Sequence, residues 1–220
     1  MEFDAKIQED AYLNYAKLSY EIGNPYQSVP EIMNAYLAKY PNTSYKQEIN
    51  TLLISSYITS KNYKEALVLL EKSKSPENKL AYQKVTFYRG LELYTDGDFK
   101  GAYSLFKKSI AENKDAKFSA RATFWKGETE YNLDQFEEAK LSFLQFLNSA
   151  EASTTPEFKN ANYNLAYAYF KLKEYDNAIK HFSDFIASIK DDKVRLTDAY
   201  LRLGDCNFIS AKYWPAMDAY

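Results

Sequence analysis

The chain has 220 residues with six Gly and six Pro, too few turn formers for a loop-rich all-β protein. Its 28 basic and 30 acidic residues leave a formal charge of -2, which excludes the basic footprint of a nucleic-acid binder. One cysteine, Cys206, and one histidine, His181, exclude an internal disulfide, a cysteine-built metal site and paired-histidine chemistry. No apolar run approaches the roughly 20 residues of a membrane helix, so direct membrane insertion is not expected.

Taken in chain order, the sequence repeats itself. Small or apolar residues, then aromatics, then Ala and a large apolar residue recur at fixed steps. They run Ala16, Tyr20, Tyr26, Val29, Met33, then Ile54, Ile58, Tyr63, Ala66, Leu70. The third copy carries Gly90, Tyr94, Phe99, Ala102, Phe106, and the fourth Gly127, Tyr131, Phe136, Ala139, Phe143. The fifth carries Ala166, Phe170, Tyr175, Ala178, Phe182, and the sixth Gly204, Phe208, Tyr213, Ala216, Tyr220. Each copy shows apolar residues at three- and four-residue steps on both sides of a short break, which predicts two helices. The breaks are Gly23-Asn24-Pro25, Lys61-Asn62, Asp96-Gly97-Asp98, Leu133-Asp134, Lys173-Glu174 and Ala211-Lys212. Capping-box spacing at Ser28/Glu31, Ser44/Gln47, Asp134/Glu137 and Thr154/Glu157 predicts helix starts, with Pro30, Pro76 and Pro156 in first turns. A glycine in a helix interior costs about 1 kcal/mol against Ala. Gly90, Gly127 and Gly204 in one register therefore predict a steric need where the two helices of a pair meet.

This pattern resembles the tetratricopeptide repeat: a small residue in the first helix, aromatics, then A-x-x-x-F in the second, with Pro41 at the late-proline site. The leading Trp of that motif is absent, and Tyr12, Asn50, Thr86, Thr123, Asn162 and Tyr200 stand in its place. The resemblance implies an all-α, right-handed α-α superhelix of about six helix pairs. The expected repeats are 9–41, 42–76, 77–113, 114–152, 153–190 and 191–220 in one solenoid over residues 1–220, the last incomplete. Because copy six stops early in its second helix, the chain is expected to be a segment of a longer repeat protein. The long period and the Gly-Asp-Phe and Glu-Tyr-Asp turns resemble bacterial envelope proteins, which implies a periplasmic or envelope location and a part in envelope assembly, with a cytoplasmic location as the alternative.

No catalytic motif is present. His181 and Cys206 are expected to be packing residues, and neither enzymatic activity nor a cofactor is expected. Glu128 and Glu130, two residues apart on a helix, point in different directions rather than pairing. The resemblance places a peptide-binding groove on the first helices, at Phe87, Leu91 and Thr95, at Arg121, Phe124, Glu128 and Asn132, and at Asn160, Tyr163, Tyr167 and Lys171. The set lacks the Lys, Asn and Arg pattern of a chaperone-tail clamp. The implied function is a non-catalytic scaffold that binds a protein or peptide; the alternative is a structural spacer or self-assembly segment.

Overall fold

The computed structural model describes residues 4–73 and 75–220. Among them the regular structure is helical, ordered α1 (Ala5–Ile22), α2 (Val29–Lys39), α3 (Lys46–Thr59), α4 (Tyr63–Ser73), α5 (Lys79–Thr95), α6 (Phe99–Glu112), α7 (Ala116–Asn132), α8 (Phe136–Leu147), α9 (Phe158–Lys171), α10 (Tyr175–Ser188), α11 (Lys193–Ile209) and α12 (Tyr213–Ala219). One-turn 3₁₀ helices at Pro76–Asn78 and Ala152–Thr154 precede α5 and α9. The helices fall in six successive pairs, the first beginning at Ala5, ahead of residue 9. The chain forms two compact units, Met1–Ala81 and Tyr82–Tyr220, where the sequence predicts one solenoid.

In the first unit, α1 to α4 pack around Leu13, Ile32, Met33, Tyr36, Ile49 and Leu53. The buried Tyr36 ring takes an edge-on contact from Tyr12, and its hydroxyl pairs with Thr43 (2.9 Å) and donates to Glu9 (3.2 Å). In the second unit, every helix from α7 to α11 packs on the one before and the one after it, as a stack requires.

The turns inside the pairs share one device. Lys61, Gly97, Asp134, Lys173 and Ala211 all have left-handed backbone, with φ of 60, 82, 59, 62 and 59°. The following amide donates back to the carbonyl five residues earlier: Asn62 to Tyr57, Asp98 to Leu93, Gln135 to Glu130, Glu174 to Tyr169 and Lys212 to Asn207. This is the Schellman ending, which satisfies orphan carbonyls at the helix C-terminus. Gly23 holds the equivalent place with φ 80°, but Asn24 then turns the chain through its own Oδ1, which accepts from the Tyr26 and Gln27 amides.

The repeated glycines face aromatic rings rather than the small residues opposite them. A Cβ on Gly90 would stand 2.8 Å from Phe106 Cε1, one on Gly127 2.9 Å from Phe143 Cε1, and one on Gly204 2.6 Å from Tyr220 Cε1. The glycine is thus the seat for the ring that closes its own pair, four residues beyond the Ala.

Of the four expected capping boxes, only Ser28/Glu31 forms, with Pro30 in the first turn of α2. Asp134 occupies the left-handed turn position and so cannot cap, and Gln135 stands at the N-cap of α8. Tyr45, not Ser44, precedes α3, and Thr154 belongs to a 3₁₀ turn three residues before Glu157, the N-cap of α9. Pro76 heads a 3₁₀ turn, and Pro156 lies outside α9. Gln83, which the repeat pattern does not mark, is fully buried and fully used. Its Oε1 accepts the Lys114 and Asp115 amides, and its Nε2 donates to the Asp115 carbonyl and Ser119 Oγ, which pins the α6–α7 connection.

Candidate functional site

The first helices of the second unit carry two hollows that meet at Glu128 and Asn164. A cavity of about 250 Å³ is lined by Glu128, Tyr131, Asn132, Phe143, Tyr163, Asn164 and Tyr167. A second, of about 320 Å³, is lined by Phe124, Trp125, Glu128, Pro156, Glu157, Asn160, Asn164 and Arg195. Glu128 and Asn164 belong to both. One turn of α7 and one turn of α9, set side by side by the helix stack, build the shared wall.

Hydrogen bonds between successive repeats fix these side chains. The Tyr94 hydroxyl, from α5, donates to Glu128 Oε2 (3.2 Å), and Asn164 Nδ2, from α9, donates to Glu128 Oε1. Asn132 Nδ2 donates to Tyr94 Oη (3.0 Å) and to the Glu128 carbonyl (2.8 Å). On the other side of the cavity, the Tyr163 (2.8 Å) and Tyr167 hydroxyls both donate to Asp198 Oδ2 of α11. Arg202 Nε donates to Tyr167 Oη (3.3 Å) while its guanidinium pairs with Asp205 (2.7 Å). The tyrosine rings stand edge to face with each other, and each packs on Phe182.

Burial sets the electrostatics. It lifts the Glu128 carboxyl to about 7, against smaller downward pulls from the Tyr94 hydrogen bond and the charge of Arg195. Burial also raises Tyr131 to about 12, and burial followed by the Asp198 contact raises Tyr163 and Tyr167, so all three phenols are neutral at ordinary pH.

The expected groove residues divide into three groups. Phe87 and Phe124 are 0% and 3% exposed and serve as core rings, Phe124 also lining the second cavity. Phe87 packs on Phe106 and Phe118, and Phe124 on Phe143 and Phe146, because that register of the first helix faces the second helices. Leu91 is half-buried against the Phe87 cluster. Arg121 is also committed to structure, pairing with the buried Glu157 (2.9 Å) and lying 4.6 Å from the Phe87 ring centroid. Trp125 Nε1 donates to the same Glu157 oxygen (3.0 Å). The cavities bring together Glu128, Asn132, Asn160, Tyr163 and Tyr167. Lys171 is exposed, with its ammonium over the Phe136 ring, and Thr95 is exposed and bonded to the Leu91 carbonyl, both outside those linings.

Sequence reasoning missed Tyr94, Tyr131, Asn164 and Asp198. Tyr94 and Tyr131 are visible in the sequence as the aromatic that follows the small residue of each copy, a signal that does not mark them as site residues. Asp198 holds the register of Asn160 and Arg121 one and two repeats on, so extending the groove register to copy six would have found it. His181 stacks on Tyr169 and bonds Asn162 through Nδ1 (3.0 Å), and burial lowers its pKa. The buried Cys206 thiol is pushed up to about 12 by burial and by Asp205 beside it, which leaves it inert as a nucleophile. Among the described residues no three His, Cys, Asp or Glu side chains group for a metal ion, and no helix is long and apolar enough to cross a membrane.

Residues 129–192 match the family model for the tetratricopeptide repeat. No curated protein matches the chain. Among solved structures, BtubC from P. vanneervenii superposes with a TM-score of 0.59 at 13% identity, covering 99% of this chain and 89% of the other. A tetratricopeptide repeat protein from Parabacteroides merdae gives 0.55 at 17% identity, with 97% and 77% covered. MamA from Desulfovibrio magneticus gives 0.55 at 17% identity, with 78% and 89% covered. At such identities these likenesses establish the solenoid fold.

Proposed function

Because this chain is a tetratricopeptide repeat protein, a fold that suggests a protein–protein interaction scaffold, we propose that the first-helix face of its second unit binds a peptide segment of a partner protein. The observation that carries the reading is the pair of adjoining cavities at Glu128, where tyrosine rings alternate with asparagine amides over consecutive repeats. Tyrosine offers large contact area at small rotamer cost, and amide side chains match the donors and acceptors of a peptide backbone. The rings are held before any ligand arrives, by the hydroxyl contacts to Asp198, so little ordering entropy is lost on binding. The binding residues in this reading are Glu128, Asn132, Asn160, Asn164, Tyr131, Tyr163 and Tyr167. Lys171 flanks them, while Phe87, Leu91, Arg121 and Phe124 act beneath them as support.

Site-directed photocrosslinking tests this. A photoreactive side chain at Asn132 or Lys171 should capture the same protein from native extracts, whereas one at the exposed Leu141 of α8 should not. Capture should fall at least tenfold when Tyr163 and Tyr167 are both changed to Phe, a change that keeps the rings and removes the Asp198 contacts. Capture that is equal from all three positions, or absent from all, would sink the groove reading and favour the structural spacer.

A further inference from the structure

Glu128 is the one charged side chain in the lining of the 250 Å³ cavity, and it differs from the other buried acids nearby. The buried Glu130 pairs with Lys126 at 2.7 Å and the buried Glu157 with Arg121 at 2.9 Å, while the half-buried Asp198 has Arg202 at 3.8 Å. The donors that reach Glu128 are the neutral Tyr94 hydroxyl and Asn164 amide, and among the described residues no Lys, Arg or His forms an ion pair with it. A carboxylate removed from water without a cation is costly, and a ligand that supplies one relieves that cost. The rest of the wall suits the same ligand. Tyr131, Tyr163 and Tyr167 are phenol rings, whose π systems attract an organic cation at short range. Two of them donate their hydroxyl protons to Asp198, which enriches their rings in electron density. The volume lies below the roughly 300–1,000 Å³ of pockets that take drug-sized ligands, the scale of a single long side chain. Asn132, at the exposed rim, spends its amide hydrogens on Tyr94 and the Glu128 carbonyl, which leaves its Oδ1 to accept from a ligand N–H.

We propose that this cavity receives the cationic head of a lysine or arginine side chain of the bound segment, with Glu128 as counter-ion and Tyr131, Tyr163 and Tyr167 as walls. The inference rests on the groove reading above and names the residue that the groove selects. It also makes recognition depend on pH. The titratable groups facing Glu128 are Tyr94 from α5, Tyr131 from its own helix, Tyr163 and Tyr167 from α9, the more distant Arg195 from α11 and, across the second cavity, Glu157, which is paired with Arg121. The phenols stay neutral, so the carboxyl is the group here that changes state near neutrality. Its value near 7 means that the counter-ion is present above that pH and is lost below it. Cation binding therefore weakens as the pH falls, and binding a cation expels the carboxyl proton.

The test uses defined small cations. n-Butylammonium and n-butylguanidinium are titrated into the full chain with ring-labelled tyrosine, followed by NMR, with n-butanol as the neutral counterpart. At about pH 8 both cations should give saturable shifts at Tyr131, Tyr163 and Tyr167, at least tenfold tighter than n-butanol. The affinity should drop at least tenfold at about pH 5.5, and likewise at pH 8 in Glu128→Gln. Tyr131→Leu, which keeps the carboxylate and removes a wall, should weaken both cations severalfold and serves if Glu128→Gln does not fold. No saturation with either cation, or equal affinity for n-butanol, overturns the proposal, as does binding unchanged in both variants. A partner crosslinked through Asn132 beside a cavity that ignores cations would remove this inference and leave the groove reading. Saturation by cations with no crosslinked partner would leave a cation site in the cavity and overturn its assignment to a bound segment.

Discussion

Glu128 and Glu130 lie two residues apart on α7, and their surroundings separate them completely. Glu130 is 1% exposed and carries both a lysine partner and the Ser142 hydroxyl, at 2.5 Å. Glu128 has hydrogen bonds and no cation, and its carboxyl sits near 7 instead of the usual 4.5. A carboxyl raised in the folded state holds its proton where the unfolded chain has already ionised, so folding stability must fall as pH rises from about 4.5 to 7. Glu128→Gln removes that penalty. The variant is expected to melt at least 3 °C or so above the parent at pH 8, since about 2–4 °C corresponds to 1 kcal/mol in a domain of this size. Most of the gap should close by pH 5, where the parent's carboxyl is protonated. Paired thermal melts at the two pH values check this; a constant gap would mean that the charge is already compensated.

At the scale of elements, the recurring unit is a helix that ends in a left-handed residue and hands over to its partner in one turn. Glycine takes that place at Gly23 and Gly97, whereas Lys61, Asp134, Lys173 and Ala211 hold it with a side chain attached. An L-residue with a Cβ pays about 1–2 kcal/mol in this conformation, partly offset when glycine is substituted by the greater freedom of the unfolded chain. Lys173→Gly and Ala211→Gly are each expected to stabilise by about 0.5–1 kcal/mol, read as a higher urea midpoint at unchanged slope. Both side chains are exposed, so no packing is lost. A midpoint that fell would show that the turn residue is held by something other than backbone geometry. The same turns explain why Asp134 could not cap α8: a residue cannot hold left-handed backbone and the extended N-cap conformation at once.

For the whole molecule, the two compact units differ in size, and both tryptophans, Trp125 and Trp214, belong to the larger. Trp125 is half-buried against the Phe124 and Tyr94 rings, and Trp214 is exposed, so emission changes on unfolding report chiefly on the surroundings of Trp125. A smaller unit buries a smaller fraction of its surface and is less stable. Far-ultraviolet circular dichroism in urea should therefore begin to fall before tryptophan emission shifts, because helices α1 to α4 melt first. Coincident curves would mean that the chain unfolds as one cooperative body.

The sequence alone determined the helix pairs, their periods and the close seats at Gly90, Gly127 and Gly204. These depend on local periodicity and on steric limits that each repeat restates. It also marked Glu128, Asn132, Asn160, Tyr163 and Tyr167 as neighbours on one register. Tertiary structure alone decided that Phe87 and Phe124 turn inward and that Arg121 is spent on Glu157. It likewise decided that Tyr94, Asn164 and Asp198 arrive from adjacent repeats to fix the cavity walls. A register gives the direction of a side chain to within one helix face. Whether that face meets water, a ring or a charge depends on the next helix in the stack, some 36 residues away for Asn164 and Glu128, and on burial that no local pattern encodes.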